Sequence, residues 1–331
     1  MLTPSILTKN NTLEIKGFAI LCMMFYHLFA FPERIPESII LPWMGSSIIK
    51  SLQICVSIYL FMAGYGLQCS IINNGPSIHN CLNKLKRLYI NYWWAILPFI
   101  IIGISIHYYS LNFKTLILNL IGLASTYNGE WWFYSLYVEL LIIFYIILAR
   151  LNLNFKQYTV FMVSLLTIIG IIYIFVPFNL SITWERHLFL IIRNINICIL
   201  GCYFAKFDIF RHIIKKHKIK YLYTFFIIVP LLIRGFISLT IIADLLLLPI
   251  FIIGVINLPV QLSRILQYIG KHSMNIWLIH SFFIYYYLKD IAFITSNPII
   301  IFLTVILCSL TCSITINYIK CKISHLIKIF V

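Results

Sequence analysis

Long apolar stretches separated by short polar punctuation run the length of the chain. Each is close to the roughly 17 to 25 residues that a helix needs to cross a bilayer. Cutting at the punctuation predicts ten transmembrane helices, at about 17–32, 48–72, 88–107, 131–149, 158–177, 188–206, 221–237, 239–257, 272–288 and 298–319. The stretch from Leu116 to Asn128 is too short to cross and reads as re-entrant or interfacial, and the seventh and eighth spans share a very short turn near Ser238. The predicted fold class is all-α, a polytopic membrane helix bundle.

Composition supports that class. Hydrophobic residues make up 62% of the 331 and charged residues 10%, with a mean hydropathy of +0.97. A soluble domain has about 25% charged residues and could not hide this much apolar surface. A single transmembrane domain over 1–331 is expected, with no appended soluble domain and no internal repeat. The first span is expected to be retained rather than cleaved as a signal peptide: it is long, and Tyr26 and His27 interrupt its apolar run.

The positive-inside rule sets the orientation. With a cytoplasmic N-terminus, 18 of the 25 lysines and arginines fall on the inner side. Only five, Arg34, Lys50, Lys114, Arg186 and Lys289, fall outside, and Arg193 and Arg234 lie within the membrane. Both termini are therefore expected in the cytoplasm. The +16 net charge is then mostly topological, and no nucleic-acid partner is implied. The nine cysteines are scattered without a C-x-x-C, Cys198/Cys202 and Cys308/Cys312 being neighbours on helix faces that pack as small apolar residues. No metal is expected.

Ionisable groups inside apolar runs mark function, because insertion of one at the bilayer centre costs roughly 2.5 to 3.5 kcal/mol. His27, Glu139 and His280 are the three that matter most. At 1.5 Å per residue, His27 stands about 16 Å above Lys16, His280 about 12 Å above His272, and Glu139 about 12 Å below Trp131. All three reach a similar predicted depth, with Arg193 and Asp244 nearer the outer face. Lys16 and His27, eleven residues apart, lie on one helix face about three turns from each other.

These residues also carry a family resemblance that covers nearly the whole chain. Glu14-Ile15-Lys16-Gly17 leading to Tyr26-His27 resembles the opening of the acyltransferase-3 family of membrane O-acyltransferases, where an arginine precedes a histidine by a similar interval. Tyr59 to Tyr65 resembles its FF-S-G-Y segment, Lys84-Leu85-Lys86-Arg87-Leu88-Tyr89 its basic loop, and Trp132-Phe133 with Glu139 its Trp-to-Glu span. Arg193 with Gly201, and Gly270 to Met274 leading to Leu278-Ile279-His280, resemble two further helices of the family, in the family's order. Lys16 stands where the family has arginine, which keeps the charge but loses the bidentate fork. Ala63 replaces a small polar residue, and the Trp132 to Glu139 interval is longer than in many members.

The resemblance implies transfer of an acyl group, acetyl by family frequency, from cytoplasmic acetyl-CoA to a hydroxyl of a cell-surface or lipid-linked carbohydrate. Such a reaction needs a base for the hydroxyl proton, for which histidine is suited at neutral pH. It also needs donors around the developing oxyanion. His27 is assigned as the base, Glu139 as the group orienting it or the acceptor, and His280 or Arg193 as support for the oxyanion or substrate. Lys16, Lys84, Lys86 and Arg87 are assigned to the donor phosphates, with Trp132 at the substrate. A secondary transporter or flippase for a polar or lipid-linked solute would also place charges at midplane, but related halves with broken helices would be expected. The Ile-, Asn- and Lys-rich usage fits an AT-rich bacterial genome and hence the bacterial plasma membrane.

Overall fold

The computed structural model describes residues 7–146, 151, 153–181, 183–216, 222–237 and 240–330. The turn near Ser238 and the topological residues Arg150, Lys218 and Lys220 lie outside the described residues. Among the described residues every regular element is helical. They are α1 (Lys9–Phe29), α2 (Ser47–Ser51), α3 (Ile54–Asn74), α4 (Ile78–Ser105), α5 (Phe113–Leu120), α6 (Trp132–Ile146), α7 (Phe155–Phe175) and α8 (Thr183–Lys206), followed by α9 (Ile209–Lys216), α10 (Tyr223–Phe236), α11 (Thr240–Ile256), α12 (Val260–Ile279), α13 (Lys289–Ala292) and α14 (Pro298–Phe330).

Among the described residues six helical stretches are long and apolar enough to cross a membrane: Lys9–Phe29, Ser47–Asn74, Ile78–Ser105, Phe155–Phe175, Trp184–Lys206 and Pro298–Ile323. A seventh is added if Ala243–Ile256 and Val260–Phe283, bent by 114° at their junction, form one span. α6 and α10 are shorter, at 15 and 14 residues. The stretch from Leu116 to Asn128 holds the later part of the eight-residue α5 and the turns that follow it.

Several helices begin about ten residues before the apolar run that marks them. α1 starts at Lys9 behind a capping box, in which the Asn11 N–H donates to Thr8 Oγ1 at 3.2 Å and the Thr8 N–H to Asn11 Oδ1 at 3.0 Å. Each pair satisfies a backbone donor that the first turn leaves free. α4 starts at Ile78, so Lys84-Leu85-Lys86-Arg87 lies on a helix and not in a loop, and α12 starts at Val260 and runs straight through Lys271-His272. The cause is common to all three: hydropathy reports only the lipid-facing part of a helix, while its aqueous turns are free to carry charge.

Two crossings of small residues hold the bundle. A Cβ on Gly17 would lie 1.9 Å from the Leu266 carbonyl oxygen, and one on Gly270 1.9 Å from that of Leu13. α1 and α12 therefore touch backbone to backbone and run parallel. α3 and α8 meet in the same way, with Gly64 against Cys198 and Gly201 against Phe61. Close approach of this kind is the main packing device of membrane helices, which gain nothing by hiding apolar surface from equally apolar lipid.

A buried ion pair adds a polar tie. Arg234 of α10 donates to both Asp244 oxygens of α11, at 2.6 and 3.2 Å, and to the Ser51 carbonyl at 2.9 Å, while Ser57 of α3 donates to Asp244 at 2.5 Å. Asp244 is thus committed to Arg234. Removing one partner would strand the other charge in an apolar interior, so Arg234→Gln is expected to destabilise the protein by about 3 to 5 kcal/mol. A thermal unfolding scan of the detergent-solubilised variant checks this, and an unchanged midpoint would show the pair to be dispensable.

Candidate active site

The glycine crossing sets the register of two histidines. Ten residues beyond Gly17, α1 presents His27; ten residues beyond Gly270, α12 hands over to His280. Equal rises along parallel helices bring the two rings edge to face with centroids 5.0 Å apart. Both are buried, at 8% and 0% exposure. His280 opens a 3-10 turn, His280–Phe283, and His27 is the third residue from the end of α1. The pair therefore stands at helix ends and not at helix midpoints, because both helices begin and end earlier than their apolar runs, α1 closing at Phe29 and α12 at Ile279.

The carboxylate that meets them is Glu130, which sits in a 3-10 turn, Gly129–Trp131, immediately before α6. Its Oε2 is 3.4 Å from His27 Nδ1, and its Oε1 is 3.6 Å from the Arg34 guanidinium. Arg34 lies over the Phe31 ring at 4.4 Å and the Tyr285 ring at 5.4 Å. Burial raises the Glu130 pKa above its ordinary value, and His280 and Arg34 oppose that rise.

His280 has a defined tautomer. Its Nδ1 is 2.8 Å from the Trp277 carbonyl and 3.2 Å from that of Ile276. A carbonyl only accepts, so Nδ1 carries the proton and Nε2 is left as an acceptor, buried and without a partner. A neutral His280 consequently offers no donor to an oxyanion. Of the alternatives expected for it, His280 stands beside His27 with its one ring N–H engaged by the backbone.

Glu139 departs from that cluster. On α6 the cavity wall is formed by Phe133, Tyr137 and Leu141 at four-residue spacing. Glu139 is two positions from Tyr137 and so is turned about 200° away. It pairs instead with His187 of α8, Oε1 to Nδ1 at 2.8 Å. Arg193 is half-buried on α8 and is not part of the cavity wall. On α4, Lys84, Arg87, Leu88 and Asn91 face the cavity at helical spacing, whereas Lys86 is exposed and points elsewhere.

The cavity measures about 760 Å³. One end is walled by Thr12, Lys16, Lys84 and Arg87, the other by His27, Phe31, Arg34 and Glu130. Between them lie Met23, Tyr59, Met62, Trp132, Phe133, Tyr137 and Trp277. From Thr12 to His27 the wall follows α1 for about 22 Å. Of the residues expected from sequence, Lys16, His27, Lys84, Arg87 and Trp132 line this space, and His280 backs His27.

Glu130 and Arg34 were not among the candidates. Both sit at polar boundaries of the apolar runs, where a charge costs little and draws no notice; the aromatic pair Trp131-Trp132 next to Glu130 was the available signal. Among the described residues no group of three or more His, Cys, Asp or Glu side chains is placed to hold a metal ion.

Comparison with curated proteins and with solved structures finds no match. A family model does match: residues 13–318 fit the acyltransferase domain family Acyl_transf_3, from the first helix to the last. The chain belongs to this acyltransferase family and is a multi-pass membrane enzyme.

Proposed function

We propose that the protein is an O-acyltransferase that moves an acetyl group from acetyl-CoA to a hydroxyl of a surface or lipid-linked carbohydrate, in a bacterial plasma membrane. The supporting observation is a single cavity with cations at one end and a His27–Glu130 pair at the other. In this reading ten helices cross with both termini cytoplasmic, so Lys16, Lys84 and Arg87 face the cytoplasm. They attract the phosphates of coenzyme A, and the pantetheine arm extends along the aromatic and Met-lined wall toward His27.

At the far end the acceptor hydroxyl loses its proton to His27, and its oxygen attacks the thioester carbonyl. The C–S bond then breaks, and the departing sulfur takes the proton back from His27. Glu130, on the Nδ1 side of the ring, holds it in orientation and balances the transient imidazolium, leaving Nε2 for the proton transfer. Arg34 is the cationic donor in the same wall and is placed to support the developing oxyanion. His280 fixes His27 from behind, and Trp132 flanks the acyl path. Glu139, Arg193 and Lys86 take no part.

Transfer from radiolabelled acetyl-CoA to membrane-derived glycan is the test. His27→Ala should lower the rate by about 10² to 10⁴ while leaving membrane insertion intact. Near-normal transfer by that variant would refute the assignment, and failure of the intact protein to use acetyl-CoA would refute the donor.

Lys16→Arg should retain transfer, while Lys16→Gln should lose donor affinity as a raised KM. Equal activity of the two would make Lys16 a topological anchor only.

A third outcome concerns pH. The ionised form of Glu130 is the active one, burial raises its pKa, and Arg34 opposes that rise. Arg34→Gln removes one opposing charge, so the acid limb of the pH–rate profile should move to higher pH. An unmoved limb would mean that Glu130 does not govern it.

A further inference from the structure

Glu130 owes its place to a segment far away in the chain. Asn128, fully buried, makes two bonds at once: its Oδ1 accepts from the Glu130 N–H at 3.0 Å and its Nδ2 donates to Ser281 Oγ at 2.6 Å. Ser281, also fully buried, follows His280 directly. One residue on, the Gly129 N–H donates to Tyr286 Oη at 2.7 Å, and Tyr285 Oη donates to the His27 carbonyl. The Trp131 indole N–H closes the same side by donating to the Leu278 carbonyl at 2.9 Å.

The segment from Leu278 to Tyr286 therefore touches both other parts of the site. It supplies His280, grips the backbone of His27 and fixes the turn that carries Glu130. A 3-10 turn of three residues has no helical ladder to hold it, and the carboxylate it bears is buried at a cost that only correct pairing offsets. We propose that Asn128, with Ser281 and Tyr286, is a positioning device that holds Glu130 against His27, and that none of the three touches substrate. This rests on the catalytic role of Glu130 proposed above.

The chemistry of the bonds says which variants are informative. Asn128→Ala removes both bonds and strands the Ser281 hydroxyl. Tyr286→Phe removes only the acceptor for the Gly129 N–H, with the ring retained, and serves as the second variant should Asn128→Ala fail to fold. A carboxylate displaced by about 1 Å can cost on the order of 10²-fold in rate. The loss should fall on kcat, because the cationic end of the cavity that would hold the donor is remote from this turn.

The experiment is a double-mutant cycle on the full chain in detergent, with acetyl-CoA as donor and monodispersity checked for each variant. Asn128→Ala and Tyr286→Phe are each measured in the native background and in Glu130→Gln. The expected result is a fall in kcat of about ten- to a hundredfold for Asn128→Ala, a smaller fall for Tyr286→Phe and an unchanged donor KM. In the Glu130→Gln background neither variant should cause a further loss.

A further loss of the same size in that background would overturn the proposal, since Asn128 would then act through general stability. Native kcat in Asn128→Ala and Tyr286→Phe, with Glu130→Gln impaired, would overturn the positioning device alone. Native kcat in Glu130→Gln would overturn the role of Glu130 and the device with it.

Discussion

The contact between Gly17 and Gly270 determines where everything else in the site falls. With no side chain on either residue, α1 and α12 meet at backbone distance and in parallel. From that point both helices rise through ten residues before presenting a histidine. A side chain at either glycine would push into a carbonyl at 1.9 Å, and the two histidines would separate or slip in register. Gly17 and Gly270 thus serve packing first, and the chemistry proposed for Lys16 and His27 depends on that packing.

A second constraint is the price of charge in an apolar bundle. Ionisable groups inside such a protein must be paired or must face water. Arg234 and Asp244 take the first course in a closed network with Ser57, and Glu139 takes it with His187. The cavity groups are held less completely: His27 Nδ1 and His280 Nε2 are buried without a hydrogen-bond partner. Glu139 Oε2 is likewise buried without a hydrogen-bond partner, so among these pairs only the Arg234–Asp244 network with Ser57 is closed. Position separates Glu130 from Glu139: Glu130 lines the cavity beside His27, whereas Glu139 lies outside the cavity wall and pairs with His187 of α8.

The helical class was legible from the apolar runs, and His27 from its place within one of them. Lys16 was legible from its three-turn spacing to His27. Helix limits were less so, because the runs at 17–32, 88–107 and 272–288 mark only the later, apolar part of helices that begin at Lys9, Ile78 and Val260 and end at Phe29, Ser105 and Ile279. Depth arithmetic from those limits raised Glu139 to the level of His27. The face it occupies on α6, set by a 100° step per residue, turns it toward α8 instead. Glu130 escaped notice since its turn is fixed by Asn128, Ser281 and Tyr286, contacts separated by about 150 residues that no local pattern reveals.

The most direct test of the central claim, that one cavity joins a donor end to a catalytic end, is a cryo-electron microscopy map of the protein with coenzyme A bound. The nucleotide phosphates should lie against Lys16, Lys84 and Arg87, with the pantetheine arm running past Tyr59 and Trp277 and its sulfur beside His27 and Glu130. Coenzyme A bound with its sulfur remote from His27, or with its phosphates at the Arg34 end, would contradict the claim.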